Sequence, residues 1–498
     1  MTLGELLSGV PVKEPLPPGL DSTTVSGLDY DSRRIANGYV FFAFRGAHAD
    51  GRKFAKDAAA RGAVAVVSET AAPPLEDAAL GIPWVQVEHG RQALAIASRN
   101  FYGKPDERIG LTGITGTNGK TTTSYLVDSI LKAAGHTTAL VGTIEYRLGM
   151  QTLAAVNTTP ESLDLVRLFA ELEKRGGSHA TMEVSSHALA LGRVYGLHFH
   201  TAIFTNLTQD HLDFHGTMEN YFAAKRKLFE GAGAPPPKFA ILNCDDPYAH
   251  ALKPPADSEV YWYGLGEDAD LQALNISLSR QGISFEVKFR NLQFPAHSQL
   301  IGQVNVYNIL AACGAGLSYG LSPEAIAQGI EQLRAVPGRF ERVDEGQPFL
   351  VVVDYAHTDD ALRNAIAVAR SLGPKRVITL FGCGGDRDRA KRPLMGRAAA
   401  EGSDFVVLTS DNPRSEDPLA IMNDAMVGIQ RVEAPVVVEP DRAAAIDRAL
   451  KEAREGDIVI LAGKGHETYQ ILKDRTIPFD DRVVAREVLR GFGYRKAG

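Results

Sequence analysis

Cysteine is scarce: Cys244, Cys313 and Cys383 are the only three in 498 residues, too few and too scattered for a disulfide framework or a cysteine zinc site. Long apolar runs are missing as well, since none approaches the roughly 20 residues that span a bilayer. The opening stretch, "MTLGELLSGVPVKEPLPPGL", has neither the basic start nor the long apolar core of a signal peptide. Nor is there excess positive charge. With 53 Lys and Arg against 60 Asp and Glu the net charge is -7, which argues against a nucleic-acid or anionic-membrane surface and allows only a local basic pocket. No internal repeat or low-complexity tract stands out, and "APPP" at 234–237 reads as a loop. What is present is a soluble globular composition, 44% hydrophobic and 23% charged, long enough for about three domains. The simplest location is the cytoplasm.

The chain reads as three α/β blocks. Residues 1–100 mix short apolar strands ("YVFFAF", "AVAVVS", "PWVQVE") with helical stretches ("GRKFAKDAAARG", "GRQALAIASRNFYG"), and a break follows at "YGKPDER". Residues 101–335 begin strand–loop–helix and continue with buried-looking strands at "HATMEVSS", "TAIFTNL" and "KFAILNCDD", the pattern of a parallel sheet covered by helices. Residues 336–498 alternate strand and helix from "FLVVVDYA" to "DIVILAG", a second doubly wound unit.

The chemistry-bearing stretch is "LTGITGTNGKTTTSYLVDSILKAAG" at 111–135. Its loop is shorter than the usual phosphate loop, because Ile114 stands where the first glycine would be. Gly116 and Gly119 nevertheless let backbone N–H groups approach an anion, with Thr117 and Asn118 between them. Lys120 can reach outer phosphates. Thr121, followed by Thr122, can offer a hydroxyl to Mg²⁺ at a helix start, where the dipole favours anions. An ordinary glycine turn before a helix is the alternative; a strand before the loop and a helix after it favour phosphate binding.

Ten segments, "GITGTNGKTTT", "MEVSSHAL", "TNLTQDHLDFHG", "AAKRKLF", "NVYNILAA", "PGRFE", "DYAHT", "GCGGDRDRAKRP", "SDNPR" and "AGKGHE", occur in the order seen in the Mur ligases, which the chain resembles over essentially its whole length. The resemblance implies a central P-loop ATPase-like parallel sheet. It would be flanked by an N-terminal α/β domain for a UDP-linked substrate (1–100) and a C-terminal Rossmann-like domain for an amino acid (336–498), with ATP on 101–335. The implied reaction is ATP-dependent ligation of meso-2,6-diaminopimelate to UDP-N-acetylmuramoyl-L-alanyl-D-glutamate through an acyl phosphate. All partners would be small molecules, with no nucleic acid and no membrane insertion, and the protein would be a monomer. A lysine-adding sibling, a folylpolyglutamate-type ligase and a nucleotide-binding switch protein are the competing readings.

The resemblance also implies roles for residues. Glu183, at the end of an apolar strand, would hold Mg²⁺ with Thr121 and His211; an acid facing solvent or a surface salt-bridge cluster would look the same. Lys225 lies on an amphipathic helix, where a solvated lysine is the default. In the family the matching lysine reacts with CO₂ to a carbamate, an anionic ligand where an ammonium would repel the metal. Asn308 resembles an adenine contact, with Asn305 three residues before it a rival as a helix cap. Arg339, Asp354 and Lys391 would complete the nucleotide site by domain closure. Tyr30, Ser32 and the segment Ala47, His48, Ala49 would contact the uridine diphosphate; Asn157, Thr158, Thr159, Ser185, Leu191 and Arg193 would hold the rest of that substrate. Leu191 stands where relatives often have Gln. Thr159 before Pro160 is also the expected cap of the next helix, with Thr158 and Glu161 at capping-box spacing. For the amino acid, Arg387 and Arg414 would take carboxylates. Asp411, Asn412 and Pro413 would shape the loop, Gly463 would give a backbone contact, and Glu467 would receive the ammonium.

Overall fold

A computed structural model describes residues 1–46, 50–71, 81–432 and 434–496. The chain divides into two compact units, 1–269 with 311–321 and 270–310 with 322–498. Among the described residues no helix is long and apolar enough to cross a membrane.

The first unit holds two sheets. The N-terminal one is all parallel, in the order Gly27–Asp29, Tyr39–Phe42, Ala65–Ser68, Trp84–Gln86. The second has Gly110–Thr115 near its centre, with Thr201–Phe204, Phe239–Asn243 and Glu259–Gly264 on one side and His179–Glu183 and Thr138–Val141 on the other, all parallel. Each of the inner strands is buried along nearly its whole length, which is why they read as continuous apolar runs. An antiparallel hairpin, Glu145–Leu148 and Gln151–Ala154, extends the edge. The centre of this order is a switch point: the strands to either side of Gly110–Thr115 follow later in the chain, so a crevice opens at the carboxyl ends, where open α/β sheets take ligands.

The second unit contains a six-stranded sheet in the order Glu341–Val343, Leu350–Asp354, Ile458–Ala462, Val377–Cys383, Phe405–Ser410, Val436–Val438. All its pairings are parallel except the first. Helices Asp359–Ser371, Lys391–Gly402 and Pro418–Ile429 cover one face, and Arg442–Glu452 and Asp481–Gly491 the other. The unit also carries an antiparallel ribbon, Leu271–Leu278, Ile283–Phe289 and Leu292–Ser298, that the sequence reading did not identify. Alternation in "ISFEVKF" is its local signature, and every second residue there is buried.

A buried ion pair ties the carboxyl ends of two strands of this sheet to the helix Asp481–Gly491. Arg442 and Asp481 are both fully buried, with Arg442 Nε and Nη2 donating to the two Asp481 oxygens at 2.8 and 2.6 Å. The same guanidinium donates to Ser410 O at 3.1 Å and Ala462 O at 2.9 Å, the last residues of two strands. Arg442→Met leaves Asp481 uncompensated in the interior, and we expect a loss of about 3–5 kcal/mol in denaturant unfolding. A variant within about 0.5 kcal/mol of the parent would contradict this account.

Candidate functional site

The strand Gly110–Thr115 runs straight into the loop 116–119 and the helix Lys120–Ala133. Gly116 has φ of 147°, and a Cβ there would lie 1.9 Å from Thr205 Oγ1, so only glycine fits. Gly119 caps the helix with φ of 87°. The segment 205–208 clasps the loop. Thr117 N donates to Asn206 O at 2.8 Å, Asn118 N to Asn206 Oδ1 at 2.9 Å, and Thr205 Oγ1 to Asn118 O at 2.6 Å. Lys120 folds back, its Nζ donating to Gly116 O at 2.9 Å and Thr117 O at 2.8 Å.

Glu183, buried at the end of its strand, meets this loop. Thr121 Oγ1 donates to Glu183 Oε2 at 3.0 Å, Thr143 N to Oε1 at 2.8 Å and Thr143 Oγ1 to Oε2 at 3.1 Å. The carboxylate does not face solvent. Lys225, on the helix Met218–Glu230, is buried, and its Nζ donates to Gly116 O at 2.7 Å. One carbonyl oxygen thus receives both lysine side chains, and the Lys225 Nζ lies 4.5 Å from the centre of the Tyr221 ring. Burial first, and then the neighbouring Lys120 charge, push Lys225 well below the ordinary lysine value.

His211 caps the short helix Leu212–His215 with φ of 54°. Its Nε2 lies 3.4 Å from Asp210 Oδ2, and its ring stands edge-on to His187 at 4.9 Å. Burial lowers its pKa to about 4, against the pull of Asp210, so the ring is neutral at physiological pH. Among the described residues no group of three or more His, Cys, Asp and Glu side chains could hold a metal ion. The donors around the loop are instead hydroxyl and carboxylate oxygens, the hard ligands that suit Mg²⁺.

On the N-terminal side Tyr30 donates its hydroxyl to Asp164 Oδ2 at 2.5 Å under the Arg34 guanidinium, and Ser32 is buried at the start of a short 3-10 turn. Ala47, His48 and Ala49 lie outside the described residues. The capping expectation at Thr159 fails. The helix begins at Ser162 with Glu161 as its cap residue, and no side chain caps it. Thr159 Oγ1 donates instead to Glu183 O at 2.9 Å and accepts from Ser185 N at 3.1 Å, a tertiary contact that outcompetes the local one. Thr158 shares a hydroxyl contact with Thr143 at 3.0 Å, and Asn157 is exposed with its carbonyl taking the Tyr146 hydroxyl. Ser185 caps the helix Ser186–Leu191 by accepting from Ala188 N. Arg193 pairs with Glu161 at 3.1 Å and donates to Thr159 O at 2.9 Å, while Leu191 lines a cavity of about 460 Å³ beside Arg91 and Tyr195.

In the second unit Asn308 and Asn305 are buried, and Asn308 Nδ2 donates to Asn305 Oδ1 at 2.9 Å. Asn305 is not a cap: it lies inside the helix Val304–Ser318 and donates back to Ile301 O at 2.8 Å. Arg339 lies over the Tyr355 ring at 5.0 Å. Asp354 Oδ2 accepts from Phe340 N at 2.7 Å, and burial raises its carboxyl pKa against the pull of Arg339. Lys391 opens the helix Lys391–Gly402.

The loop Asp411–Arg414 leaves the strand Phe405–Ser410 at its carboxyl end. Arg414 has φ of 52°, an uncommon backbone for a long side chain. Its Nη1 donates to Gly385 O at 2.7 Å and to Asn412 O at 3.4 Å, leaving Nε and Nη2 without a hydrogen bond among the described residues. Gly385 must be glycine, since a Cβ would lie 1.9 Å from Pro413 O. Arg387 is exposed nearby, its Nη1 donating to its neighbour's carbonyl, Asp386 O, at 3.5 Å. Gly463 has φ of 111°, and Glu467 Oε2 accepts from Asn412 Nδ2 at 2.9 Å.

Sequence reasoning passed over Thr143, Asn206 and Lys464. Asn206 and Lys464 lie within quoted motifs, "TNLTQDHLDFHG" and "AGKGHE", whereas nothing in the sequence around Thr143 announces it.

The chain matches the Mur ligase family catalytic domain over residues 24–102, the Mur ligase middle domain over 114–316 and the Mur ligase glutamate ligase domain over 338–465. It is 69% identical over 496 residues to the UDP-N-acetylmuramoyl-L-alanyl-D-glutamate--2,6-diaminopimelate ligase of Solibacter usitatus (strain Ellin6076), covering 100% of both chains. A solved structure of a ligase of that name superposes with TM-score 0.71 at 33% identity over 99% of each chain. The MurF ligase of Thermotoga maritima, solved with ADP, shares the fold at TM-score 0.59 and 18% identity, covering 94% of this chain and 96% of that one.

Proposed function

Because the chain belongs to the Mur ligase family, we propose that it joins meso-2,6-diaminopimelate to the D-glutamate carboxylate of UDP-N-acetylmuramoyl-L-alanyl-D-glutamate, converting ATP to ADP and phosphate, in cytoplasmic synthesis of peptidoglycan precursor. The full-length similarity to a diaminopimelate ligase supports this over the lysine-adding, folylpolyglutamate and switch-protein readings. The domain assignment 1–100, 101–335 and 336–498 is part of the same proposal.

A carboxylate is a poor acyl donor. Its oxygen therefore takes the γ-phosphoryl group of ATP, giving an acyl phosphate and ADP. The amine of diaminopimelate then attacks the acyl carbon, the bond to the phosphate oxygen breaks, and the amine loses a proton as phosphate departs. In the first step anions converge, and cations positioned beforehand stabilise them. With Thr117 N and Asn118 N held by Asn206, the phosphates would lie at the Gly119 end of the loop against the N-terminus of the helix Lys120–Ala133, and Lys120 would swing from the Gly116 and Thr117 carbonyls to the transferring group. Thr121, Glu183, His211 and a carbamate on Lys225 would hold Mg²⁺, which when bound neutralises phosphate charge. The single observation that carries this chemistry is the burial of Lys225 with its Nζ on the Gly116 carbonyl; that burial first, and then the Lys120 charge, push it toward its neutral form. A neutral amine is the form that adds CO₂. Asn308, Arg339, Asp354 and Lys391 are proposed as nucleotide contacts. Tyr30, Ser32, Asn157, Thr158, Thr159, Ser185 and Arg193 are proposed for the UDP-linked substrate.

Phosphate release with the UDP-dipeptide and a panel of amino acids tests the proposal; turnover without an acceptor would favour the switch protein. The distal end of diaminopimelate carries a carboxylate that lysine lacks, and Arg414 offers it a planar pair of donors. Arg414→Ala is expected to raise the diaminopimelate KM by roughly 100-fold or more while leaving the ATP KM unchanged. Equal use of lysine and diaminopimelate by the parent protein would overturn this assignment of the pocket.

A further inference from the structure

We propose that Lys464 is a positioning residue for the amino-acid substrate: its buried ammonium locks Asp411, Asn412 and Glu467 into one arrangement that presents a single net negative charge to the acceptor's distal ammonium. The proposal rests on the reading of the Asp411–Arg414 loop and Glu467 as the acceptor site.

Lys464 follows the strand Ile458–Ala462 in a turn that permits few conformations. Gly463 has φ of 111° and Gly465 has φ of 53°, and a Cβ on Gly465 would lie 2.6 Å from Tyr355 Cβ. Between them the Lys464 side chain turns inward and is 0% exposed. Its Nζ donates to Tyr469 O at 2.8 Å, Asn412 Oδ1 at 3.0 Å and Glu467 Oε2 at 3.3 Å, and lies 3.4 Å from Asp411 Oδ1. An ammonium has three donors and no acceptor, so this set saturates it.

The arrangement has two consequences. Asn412 Oδ1 takes both the lysine and Ile471 N at 3.0 Å, so the amide has one orientation and its Nδ2 faces Glu467 Oε2 at 2.9 Å. Glu467 Oε2 thereby receives two donors, and Oε1 is the oxygen left to a ligand. Two carboxylates, Asp411 and Glu467, also share one buried cation. Without it they repel each other, and the Asn412 amide loses one of the two contacts that set its direction. A solvated lysine or a simple core filler would not show this convergence on three residues of one site.

Lys464→Met and Lys464→Gln test this, with steady-state kinetics for all three substrates and thermal unfolding. Gln keeps a donor for Tyr469 O and Asn412 Oδ1 but removes the charge. Both variants are expected to raise the diaminopimelate KM by roughly 30-fold, with kcat at saturation within about threefold and the ATP and UDP-dipeptide KM values within about twofold. A diaminopimelate KM unchanged in either folded variant overturns the proposal. So does a parallel rise in all three KM values, which is what a merely structural lysine would produce, and so does failure of both variants to fold. Arg414→Ala, measured alongside, separates two failures. If it raises the diaminopimelate KM while the Lys464 variants do not, only the role of Lys464 falls. If it too leaves that KM unchanged, the acceptor site itself lies elsewhere.

Discussion

Replacing Lys120 with Ala is expected to lower kcat for ligation by about 10³-fold or more, while calorimetric affinity for the UDP-dipeptide stays within about twofold of the parent. The argument is geometric. Lys120 stands at the first turn of a helix whose N-terminus closes the loop 116–119, and its ammonium already reaches back over that loop to two carbonyls. A γ-phosphate lying against the N-terminus of that helix would come within the same reach. The side chains proposed for the UDP-linked substrate, such as Tyr30 and Arg193, are held by Asp164 and Glu161 and not by Lys120. A variant that bound ATP and transferred phosphate normally would refute the assignment; a collapse of UDP-dipeptide affinity would show that the two sites are not separate.

Lys225→Ala should be nearly as damaging, at least about 10²-fold in kcat, and formate or acetate should restore part of the activity by supplying a carboxylate in place of the carbamate. Lys225→Arg should remain inactive, because a guanidinium does not add CO₂ and stays charged beside Lys120. The parent protein incubated with isotope-labelled bicarbonate should show a carbamate carbon resonance that Lys225→Ala lacks. Full activity in the Ala or Arg variant would remove the carbamate from the mechanism.

Much of this was legible in the sequence because it is local. The alternation of apolar runs with helical stretches marks the α/β layers, and the strand–helix alternation read over residues 336–498 is present in the structure, with helices at Asp359–Ser371, Lys391–Gly402, Pro418–Ile429 and Arg442–Glu452. The same rules failed where a long-range contact competed. Thr159 has all the local credentials of a helix cap, yet its hydroxyl serves the Glu183 carbonyl 24 residues away. The antiparallel ribbon of 271–298 was overlooked because its strands alternate buried and exposed residues and lack the solid apolar runs of the parallel sheets.

By itself the sequence determined the strand–loop–helix with its two glycines and lysine, the α/β class and the order of motifs that identifies the family. Each depends on residues close together in the chain, where spacing and composition speak directly. Only the tertiary structure decided what those motifs face. Thr121 meets Glu183 across 62 residues, Lys225 reaches the Gly116 carbonyl across 109, and Lys464 gathers Asn412 from 52 residues away. The bare sequence also left Glu183 and Lys225 as plausible surface side chains, and it is burial that makes one a desolvated carboxylate and the other a lysine inclined to be neutral. Burial arises when distant strands and helices close over a side chain, and a one-dimensional pattern of polar and apolar residues cannot specify which of them will do so.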